Sequence, residues 1–263
     1  MKIEYRKYHG CGNDFLLVAT VDNIDYALLA PKICHRRLGV GADGLIVYKK
    51  DPPTMYFYNS DGSAGTMCGN GLRCLARFFF DAGIIKSDNF AVRTPAGIKE
   101  AVILDRDIAI NLGKAVFAGA EFKSNAVTND FIDRELSGFV VSAVFTGACH
   151  LVAYVNDLTA PSTSQATRLS NHPLFPDRIN VNFARVIDGE NIEVRTFERG
   201  VGWTAACGTG AAAVYAISLL KGLCRETITV RFKYGIVKIT ADAAGNILLI
   251  GPATKIASGF FYY

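Results

Sequence analysis

One short pattern occurs twice in the chain, once in each half. Residues 67–71 read Met-Cys-Gly-Asn-Gly, and residues 206–210 read Ala-Cys-Gly-Thr-Gly. A long, mostly apolar segment follows each copy, which is typical of a buried helix that begins at a glycine-rich turn. The two cysteines, Cys68 and Cys207, are 139 residues apart in a chain of 263. This repeat is too long for a solenoid and predicts two related domains.

The segments before the two copies also correspond. MYFYNSDGS (55–63) and IEVRTFERG (192–200) each read as a strand that runs into a turn. Asn59 and Glu198 lie nine residues before the two cysteines. Further strands are predicted at 44–48, 90–94, 108–112, 139–144, 228–232 and 236–241. The predicted class is therefore α+β, with each half a mostly antiparallel sheet packed on one buried helix.

The link near residues 111–116 is the best candidate for the domain boundary. The prediction is an N-terminal half at 1–114, which carries Cys68, and a C-terminal half at 115–255, which carries Cys207. The last residues, 256–263, are placed back on the N-terminal half.

Composition narrows the classes of function. Lys and Arg number 28 against 24 Asp and Glu, without a dense basic run, so nucleic-acid binding is disfavoured. The N-terminal segment has charges among its apolar residues, and no uncharged apolar run is long enough to span a bilayer, so a cytoplasmic protein without a membrane segment is expected. The seven cysteines form no CxxC pair and the four histidines are scattered, which disfavours a metal site.

A cysteine at the start of a helix has distinctive chemistry. Free backbone N–H groups and the helix dipole lower the pKa of its thiol, and the adjoining amides can hold a carboxylate. Two such thiols on opposite faces of a carbon suit inversion, because one removes a proton and the other returns one. Two other interpretations stay open, namely that the cysteines are small buried hydrophobes or that Cys68 and Cys207 form a disulfide.

Six blocks of the sequence resemble the diaminopimelate epimerases, a family of cofactor-independent enzymes that use two cysteines. The blocks are HGCGNDF (9–15), GVGADGL (39–45), YNSDGSAGTMCGNGLRCLARF (58–78), VRTPAG (92–97), LFPDRINVNF (174–183) and FERGVGWTAACGTGA (197–211). The resemblance implies two pseudo-symmetric domains, each with strands curled around a central helix, and an active site in the cleft between them. It also implies a homodimer, an amino-acid substrate, and neither pyridoxal phosphate nor another cofactor.

The resemblance also implies roles for residues of this chain. Cys68 and Cys207 match the two acid/base thiols, and His150 and Glu198 match groups that assist them. The positions that match substrate contacts are Asn13, Asn59, Gly69, Asn70, Asn180, Glu198, Arg199, Gly208 and Thr209. Arg199 is expected to hold a distal carboxylate by two hydrogen bonds. Without the resemblance, His150 would be interpreted as a core histidine, and turn formation would explain Asn13 and Asn59 about as well as a functional role.

Two positions depart from the family pattern. Ala148 stands where the family usually has an asparagine that reads the distal end of the substrate, and Cys149 replaces the proline beside it. Trp203 stands where the family usually has glutamate, and it is expected either to narrow the pocket or to anchor the core.

Three functions remain in competition. The first is epimerisation of LL- and meso-diaminopimelate. The second is racemisation of another amino acid by the same two thiols, and Ala148 and Trp203 suggest it. Proline racemases usually have histidine where Asn70 stands, which argues against them. The third is a protein that keeps the fold without the chemistry, and the presence of both cysteines with Glu198 and Arg199 counts against it.

Overall fold

In the computed structural model of the chain, which describes residues 1–117, 120–124 and 131–263, two compact units are present. The first comprises Met1–Asn111 with Ile250–Tyr263, and the second comprises Leu112–Leu249. The boundaries inferred from the sequence, 1–114 and 115–255, stay a prediction about domains.

The first unit contains a buried helix, a shorter helix and a set of strands. In chain order these are β1 (Lys2–Gly10), β2 (Asn13–Ala19), α1 (Tyr26–Ile33), β3 (Gly44–Lys49), β4 (Thr54–Asn59), β5 (Ala64–Gly65), α2 (Gly69–Asp81), β6 (Asn89–Thr94), β7 (Gly97–Leu104), β8 (Asp107–Gly113) and, at the end of the chain, β18 (Thr254–Tyr262). β18 pairs antiparallel with β1, which brings the C-terminal strand into this unit.

The second unit repeats this order. It comprises β9 (Arg134–Leu136), β10 (Phe139–Phe145), β11 (Cys149–Tyr154), α3 (Thr163–Ser170), β12 (Asn180–Val186), β13 (Asn191–Glu198), β14 (Gly202–Trp203), α4 (Gly208–Leu220), β15 (Thr227–Phe232) and β16 (Gly235–Ala241), with a short 3₁₀ turn at Ala120–Phe122. The last strand, β17 (Ile247–Pro252), begins in this unit and ends in the first, just as β8 begins in the first and ends in the second.

Strand pairing is also repeated. β1–β2 and β10–β11 are antiparallel hairpins, and the connections through α1 and α3 then make the parallel pairs β2–β3 and β11–β12. β3–β4 and β12–β13 are antiparallel, and each unit continues into one further parallel pair across its buried helix, β4–β6 or β13–β15. Each unit is thus a mostly antiparallel α+β fold, as expected, and the two share one plan.

The long helix of each unit lies inside its own sheet. α2 packs against β1, β2, β4, β7 and β18, and α4 packs against β10, β11, β12, β13 and β16. Ten of the thirteen residues of α2 are buried, and so are ten of the thirteen in α4. A helix surrounded by strands has few solvent-facing positions, which explains the almost uniformly apolar sequence of α4.

The strands predicted from hydrophobic pattern are confirmed within one or two residues at each end. Strands β3, β6, β8, β10, β15 and β16 cover the predicted segments.

The helices of the described ranges include none with the length and apolar character needed to cross a bilayer.

The central position of α2 leads to a prediction about stability. Leu75 of α2 is 0 % exposed, whereas Leu38 of the same unit is 84 % exposed. We expect Leu75→Ala to lower the free energy of unfolding by about 2–5 kcal/mol, since it removes buried methyl groups and leaves a cavity. Leu38→Ala should change it by less than about 0.5 kcal/mol. Urea unfolding followed by circular dichroism measures both, and equal losses would contradict the central role of α2.

Candidate active site

Cys68 is the residue that begins α2. Its backbone is extended (φ −139°, ψ 110°), and its Sγ accepts a hydrogen bond from the N–H of Gly71 at 3.4 Å. A Cβ at Gly71 would lie 2.8 Å from Cδ1 of Ile46, so a larger residue there would displace the end of that side chain. The thiol therefore caps the helix and lies in the field of its positive end.

Cys207 occupies the same place on α4. Its backbone is again extended (φ −126°, ψ 114°), and its Sγ accepts from the N–H of Gly210 at 3.4 Å. Gly69 and Gly208, the first residues of the two helices, are both buried. A first helical turn has N–H groups without partners in its own helix, so each of these turns can bind an anion such as a carboxylate.

Asn70 and Asn13 are joined in the first unit. The Nδ2 of Asn70 donates to Oδ1 of Asn13 at 3.0 Å, and Nδ2 of Asn13 donates to Oδ2 of Asp43 at 2.7 Å. Because a carboxylate only accepts, Asp43 fixes which way the Asn13 amide points. Asp43, in the bend directly before β3, thus orients the two asparagines.

Ion pairs hold Asp43 and its neighbour Asp14 in place. Arg36 contacts Oδ1 of Asp14 at 2.8 Å and Oδ1 of Asp43 at 2.7 Å, and Nζ of Lys7 lies 3.0 Å from Oδ2 of Asp14. Burial alone would raise the pKa of the Asp14 carboxyl, but the hydrogen bonds from Arg36 and Lys7 outweigh it and the pKa is lowered. The Asp14 carboxyl thus stays ionised beside Asn13.

His150 lies behind Cys207 in the second unit, with Thr209 as its link. Its side chain is 0 % exposed, and its Nε2 lies 3.0 Å from Oγ1 of Thr209, which in turn lies 3.4 Å from Sγ of Cys207. Burial, with a further contribution from the charge of Arg199, lowers the pKa of His150 to about 3. The ring is therefore neutral at physiological pH, and it is connected to this thiol through the Thr209 hydroxyl.

Asn182 and Thr196 complete this polar cluster and were missed in the sequence. Nδ2 of Asn182 lies 3.1 Å from Nδ1 of His150 and donates to the carbonyl of Leu151 at 3.0 Å, while Thr196 Oγ1 donates to Oδ1 of Asn182 at 2.9 Å. A signal was available, because Asn182 follows Asn180 by two residues in a strand and so shares its face.

The remaining predicted contacts of the second unit surround the end of β13. Asn180 donates from Nδ2 to the carbonyl of Cys149 at 3.1 Å and accepts from the N–H of Arg199 at 3.0 Å. The guanidinium of Arg199 is exposed and donates from Nη1 to the carbonyl of Asp177 at 3.1 Å. Oε1 of Glu198 accepts from the hydroxyl of Thr204 at 2.7 Å.

Asn59, the counterpart of Glu198, lies at the end of β4. Its Nδ2 donates to Oγ of Ser63 at 2.9 Å, and its backbone N–H donates to the carbonyl of Ser63 at 2.8 Å. Asn59 therefore shapes the turn that leads to β5.

The cysteines fall into two groups, and none of the seven is in a disulfide. Burial raises the pKa of five thiols, to about 11 for Cys149 and to about 12 for Cys34, and upward for Cys11, Cys74 and Cys224. These five are protonated at neutral pH, and Cys149 donates to the carbonyl of Glu121 at 3.0 Å. They are poor candidates for an ionised base.

Arg73 is a further group that the sequence did not single out. It lies in α2, is 0 % exposed, and donates from Nε to the carbonyl of Pro252 at 3.4 Å. Its two terminal nitrogens make no hydrogen bond within the described ranges. Burial lowers its pKa, while its interactions with Cys11, Cys74 and Cys68 act in the opposite direction. A buried cation among thiols favours their ionised form.

Trp203 and Ala148, the two residues singled out in the sequence as unusual, have different surroundings. Trp203 packs on Phe183 and Phe197, its ring lies 3.5 Å from the guanidinium carbon of Arg195, and Nε1 donates to Thr163 at 3.0 Å, so it anchors the core of its unit. Strand pairing aligns the two units residue by residue. In the first unit Tyr58 pairs with Leu45, which pairs with Leu16, and in the second Phe197 pairs with Val181, which pairs with Leu151. Leu16 and Leu151 therefore occupy equivalent positions.

Ala148 therefore corresponds to Asn13, since each lies three residues before Leu151 or Leu16. The first unit has an asparagine that contacts Asn70. The second has an alanine at that place, and Thr209 is contacted by His150 instead. The residues that the structure describes contain no cluster of His, Cys, Asp and Glu arranged to hold a metal ion.

Known structures share this fold at low sequence identity. A phenazine biosynthesis protein of the PhzF family from Bacillus anthracis aligns with a TM-score of 0.73 at 15 % identity, covering 100 % of both chains. A hydroxyproline epimerase from Agrobacterium vitis, with bound trans-4-hydroxy-L-proline, aligns with a TM-score of 0.70 at 12 % identity, covering 98 % of this chain and 92 % of the other.

Closer relatives are found by sequence. The diaminopimelate epimerase of Alkaliphilus metalliredigens is 35 % identical, over 99 % of this chain and 98 % of the relative, and that of Methanocella arvoryzae is 37 % identical, over 98 % and 96 %. The family profile for diaminopimelate epimerase matches residues 5–118 and 142–256. With two matching cysteine-capped helices and this extent of similarity, the chain belongs to the diaminopimelate epimerase family.

Proposed function

We propose that the chain interconverts LL- and meso-2,6-diaminopimelate by proton transfer at the α-carbon, a step in the formation of lysine and of peptidoglycan precursors. Cys68 serves one face of that carbon and Cys207 the other, so that one thiolate removes the proton and the opposite thiol returns one. The observation that carries the proposal is the same thiol cap on α2 and on α4. The two thiols titrate as a pair, since one must be ionised while the other is protonated.

The helix openings supply the second requirement of this chemistry. Gly69, Asn70, Gly208 and Thr209 present first-turn amides that bind the carboxylate at the reacting carbon. Charge on this carboxylate increases as the α-proton leaves, and fixed N–H donors stabilise such charge without reorganising. Glu198 and His150 assist the thiols, and Asn13, Asn59, Asn180 and Arg199 contact the rest of the substrate. The reaction needs no cofactor, because a thiol pair provides both acid and base.

Reduced thiols and a symmetric assembly complete the proposal. Because Cys68 and Cys207 act in the reduced state, the reducing cytoplasm suits the enzyme. We also propose a homodimer through the exposed face of β18. Phe260 and Tyr262 lie on one face of that strand and are 50 % and 76 % exposed.

A second candidate keeps the chemistry and changes the substrate. Ala148 removes a side-chain amide from the second unit at the place where the first has Asn13. An enzyme that lacks this amide makes one hydrogen bond fewer to its substrate, so its selectivity for diaminopimelate is weaker. The alternative function is therefore racemisation of another amino acid.

The thiol pair gives the first prediction of function. We expect Cys68→Ala and Cys207→Ala each to abolish interconversion, since inversion needs a proton donor or acceptor on both faces. The assay is incubation in D₂O with reductant, with LL-diaminopimelate and a panel of single-enantiomer amino acids, and α-deuteration followed by mass spectrometry. Cys224→Ala is the matched control and should retain turnover.

The outcomes of this assay separate the candidates. Exchange with diaminopimelate alone supports the proposal, and exchange only with another amino acid supports the alternative. Normal turnover by either alanine variant at Cys68 or Cys207 would rule out a two-base mechanism, and no exchange with any substrate would rule out both functions.

Arg199 gives a second prediction. Its exposed guanidinium is expected to hold the distal carboxylate, so Arg199→Ala should raise KM for diaminopimelate at least about tenfold, the loss expected of a charge-assisted pair. KM for amino acids without a distal carboxylate should change less. Arg168→Ala, which removes the same charge from the exposed face of α3, is the control. Equal losses for both substrate classes would refute the assignment.

The exposed strand gives a third prediction. Light scattering of the eluted protein should give twice the 28.4 kDa mass of one chain. Phe260→Asp should shift the mass toward one chain, because a buried carboxylate opposes association. Ile98→Asp, at a residue 68 % exposed elsewhere in the same unit, should leave it unchanged. A wild-type monomer would contradict the dimer.

A further inference from the structure

Four polar side chains stand in series behind the thiol of Cys207. Thr196, Asn182 and His150 are 1 %, 0 % and 0 % exposed, and Thr209 connects them to Sγ. Buried polar groups of this kind are held in one arrangement by their hydrogen bonds. The direction of each hydrogen bond follows from the one member of the series whose orientation is fixed by a group outside it.

That end is Asn182. The carbonyl of Leu151, 3.0 Å away, can only accept, so the side-chain atom of Asn182 beside it is the amide nitrogen. The opposite orientation would place two carbonyl oxygens against each other. The amide oxygen then accepts from the hydroxyl of Thr196 at 2.9 Å. Gly210 makes room for this arrangement, since a Cβ there would lie 2.3 Å from Oδ1 of Asn182.

The orientation of Asn182 decides the tautomer of His150. Its Nδ2 lies 3.1 Å from Nδ1 of the ring and carries the hydrogen, so Nδ1 is the acceptor. A neutral imidazole with Nδ1 accepting has its proton on Nε2. The ring is neutral, because burial first and the charge of Arg199 second lower the pKa of His150 to about 3.

The proton on Nε2 in turn decides the direction of the Thr209 hydroxyl. His150 Nε2–H donates to Oγ1 at 3.0 Å, so the hydroxyl hydrogen of Thr209 is free to point elsewhere. Sγ of Cys207 lies 3.4 Å from the same oxygen, and Thr146 bonds to the backbone carbonyl of Thr209 rather than to its hydroxyl. The thiolate thus accepts from Thr209 Oγ1 and from the N–H of Gly210.

We propose that Asn182 is a positioning residue that fixes His150 as the Nε2–H tautomer, so that Thr209 donates its hydroxyl hydrogen to the Cys207 thiolate. His150 then stabilises the thiolate through Thr209 and does not accept the proton of the thiol. No proton moves along the series. This inference rests on the proposed function for the use of that thiolate as a base.

The tautomer is directly observable. In protein labelled with ¹⁵N at histidine, long-range ¹H–¹⁵N spectra distinguish a protonated from an unprotonated ring nitrogen, and His150→Gln identifies the signals among the four histidines. We expect a protonated Nε2 and an unprotonated Nδ1 for His150, unchanged from pH 9 to pH 5. In Asn182→Asp, where the carboxylate can only accept, Nδ1 should become protonated. A protonated Nδ1 in the wild type, or an unprotonated one in Asn182→Asp, would overturn the proposal.

A second pair of variants tests the link to the thiol without relying on Asn182. Thr209→Val removes the hydroxyl and keeps the shape of the side chain, while Thr209→Ser keeps the hydroxyl. The readout is the pH midpoint of iodoacetamide alkylation at Cys207, quantified on its peptide. Thr209→Val should raise this midpoint by about 1 pH unit, the effect of losing a hydrogen bond to a charged group, and Thr209→Ser should restore it. An unchanged midpoint in Thr209→Val, or equal shifts in both variants, would overturn the proposal.

Neither readout depends on turnover. If the tautomer and the alkylation midpoints behave as expected while diaminopimelate is not epimerised, the proposed function fails and the hydrogen-bond series stands. If diaminopimelate is epimerised while Nδ1 of His150 is protonated in the wild type, the series is wrong and the proposed function stands.

Discussion

The hydrogen bond from a backbone N–H to a cysteine thiol at the first turn of a buried helix is the interaction on which the rest depends. In both units Sγ accepts from the residue three positions later at 3.4 Å. This bond requires an extended cysteine and a glycine that lets the neighbouring side chain approach, as Ile46 does at Gly71 and Asn182 at Gly210. The helix must also be enclosed by strands, so that its dipole acts away from bulk water.

The two units share this backbone plan but support the thiols differently. In the first, Asp43 orients Asn13, which contacts Asn70, and Arg73 adds a buried positive charge. In the second, the corresponding support is neutral and runs from Asn182 through the imidazole to Thr209. A two-base enzyme needs two thiols that differ in protonation at any moment, and unequal supports are consistent with that requirement.

Much of this could be predicted from the sequence, for a physical reason. The glycine-rich openings and the apolar segments behind them are local features, so the positions of α2 and α4 and the capping role of both cysteines followed from them. The contacts of His150 did not, because they depend on which residues the parallel pair β11–β12 places beside it, such as Asn182. Likewise the choice between pocket and core for Trp203 needed its contacts with Phe183 and Phe197.

The fate of the α-proton tests the two-base claim most directly. LL-diaminopimelate should be converted in D₂O to a few per cent, and product and remaining substrate analysed separately for deuterium. The account predicts one deuterium at the inverted carbon of the meso product and none in the recovered LL substrate, because the proton leaves on one thiol and deuterium arrives from the other. Deuterium in the recovered substrate at the rate of product formation, or product without deuterium, would contradict it.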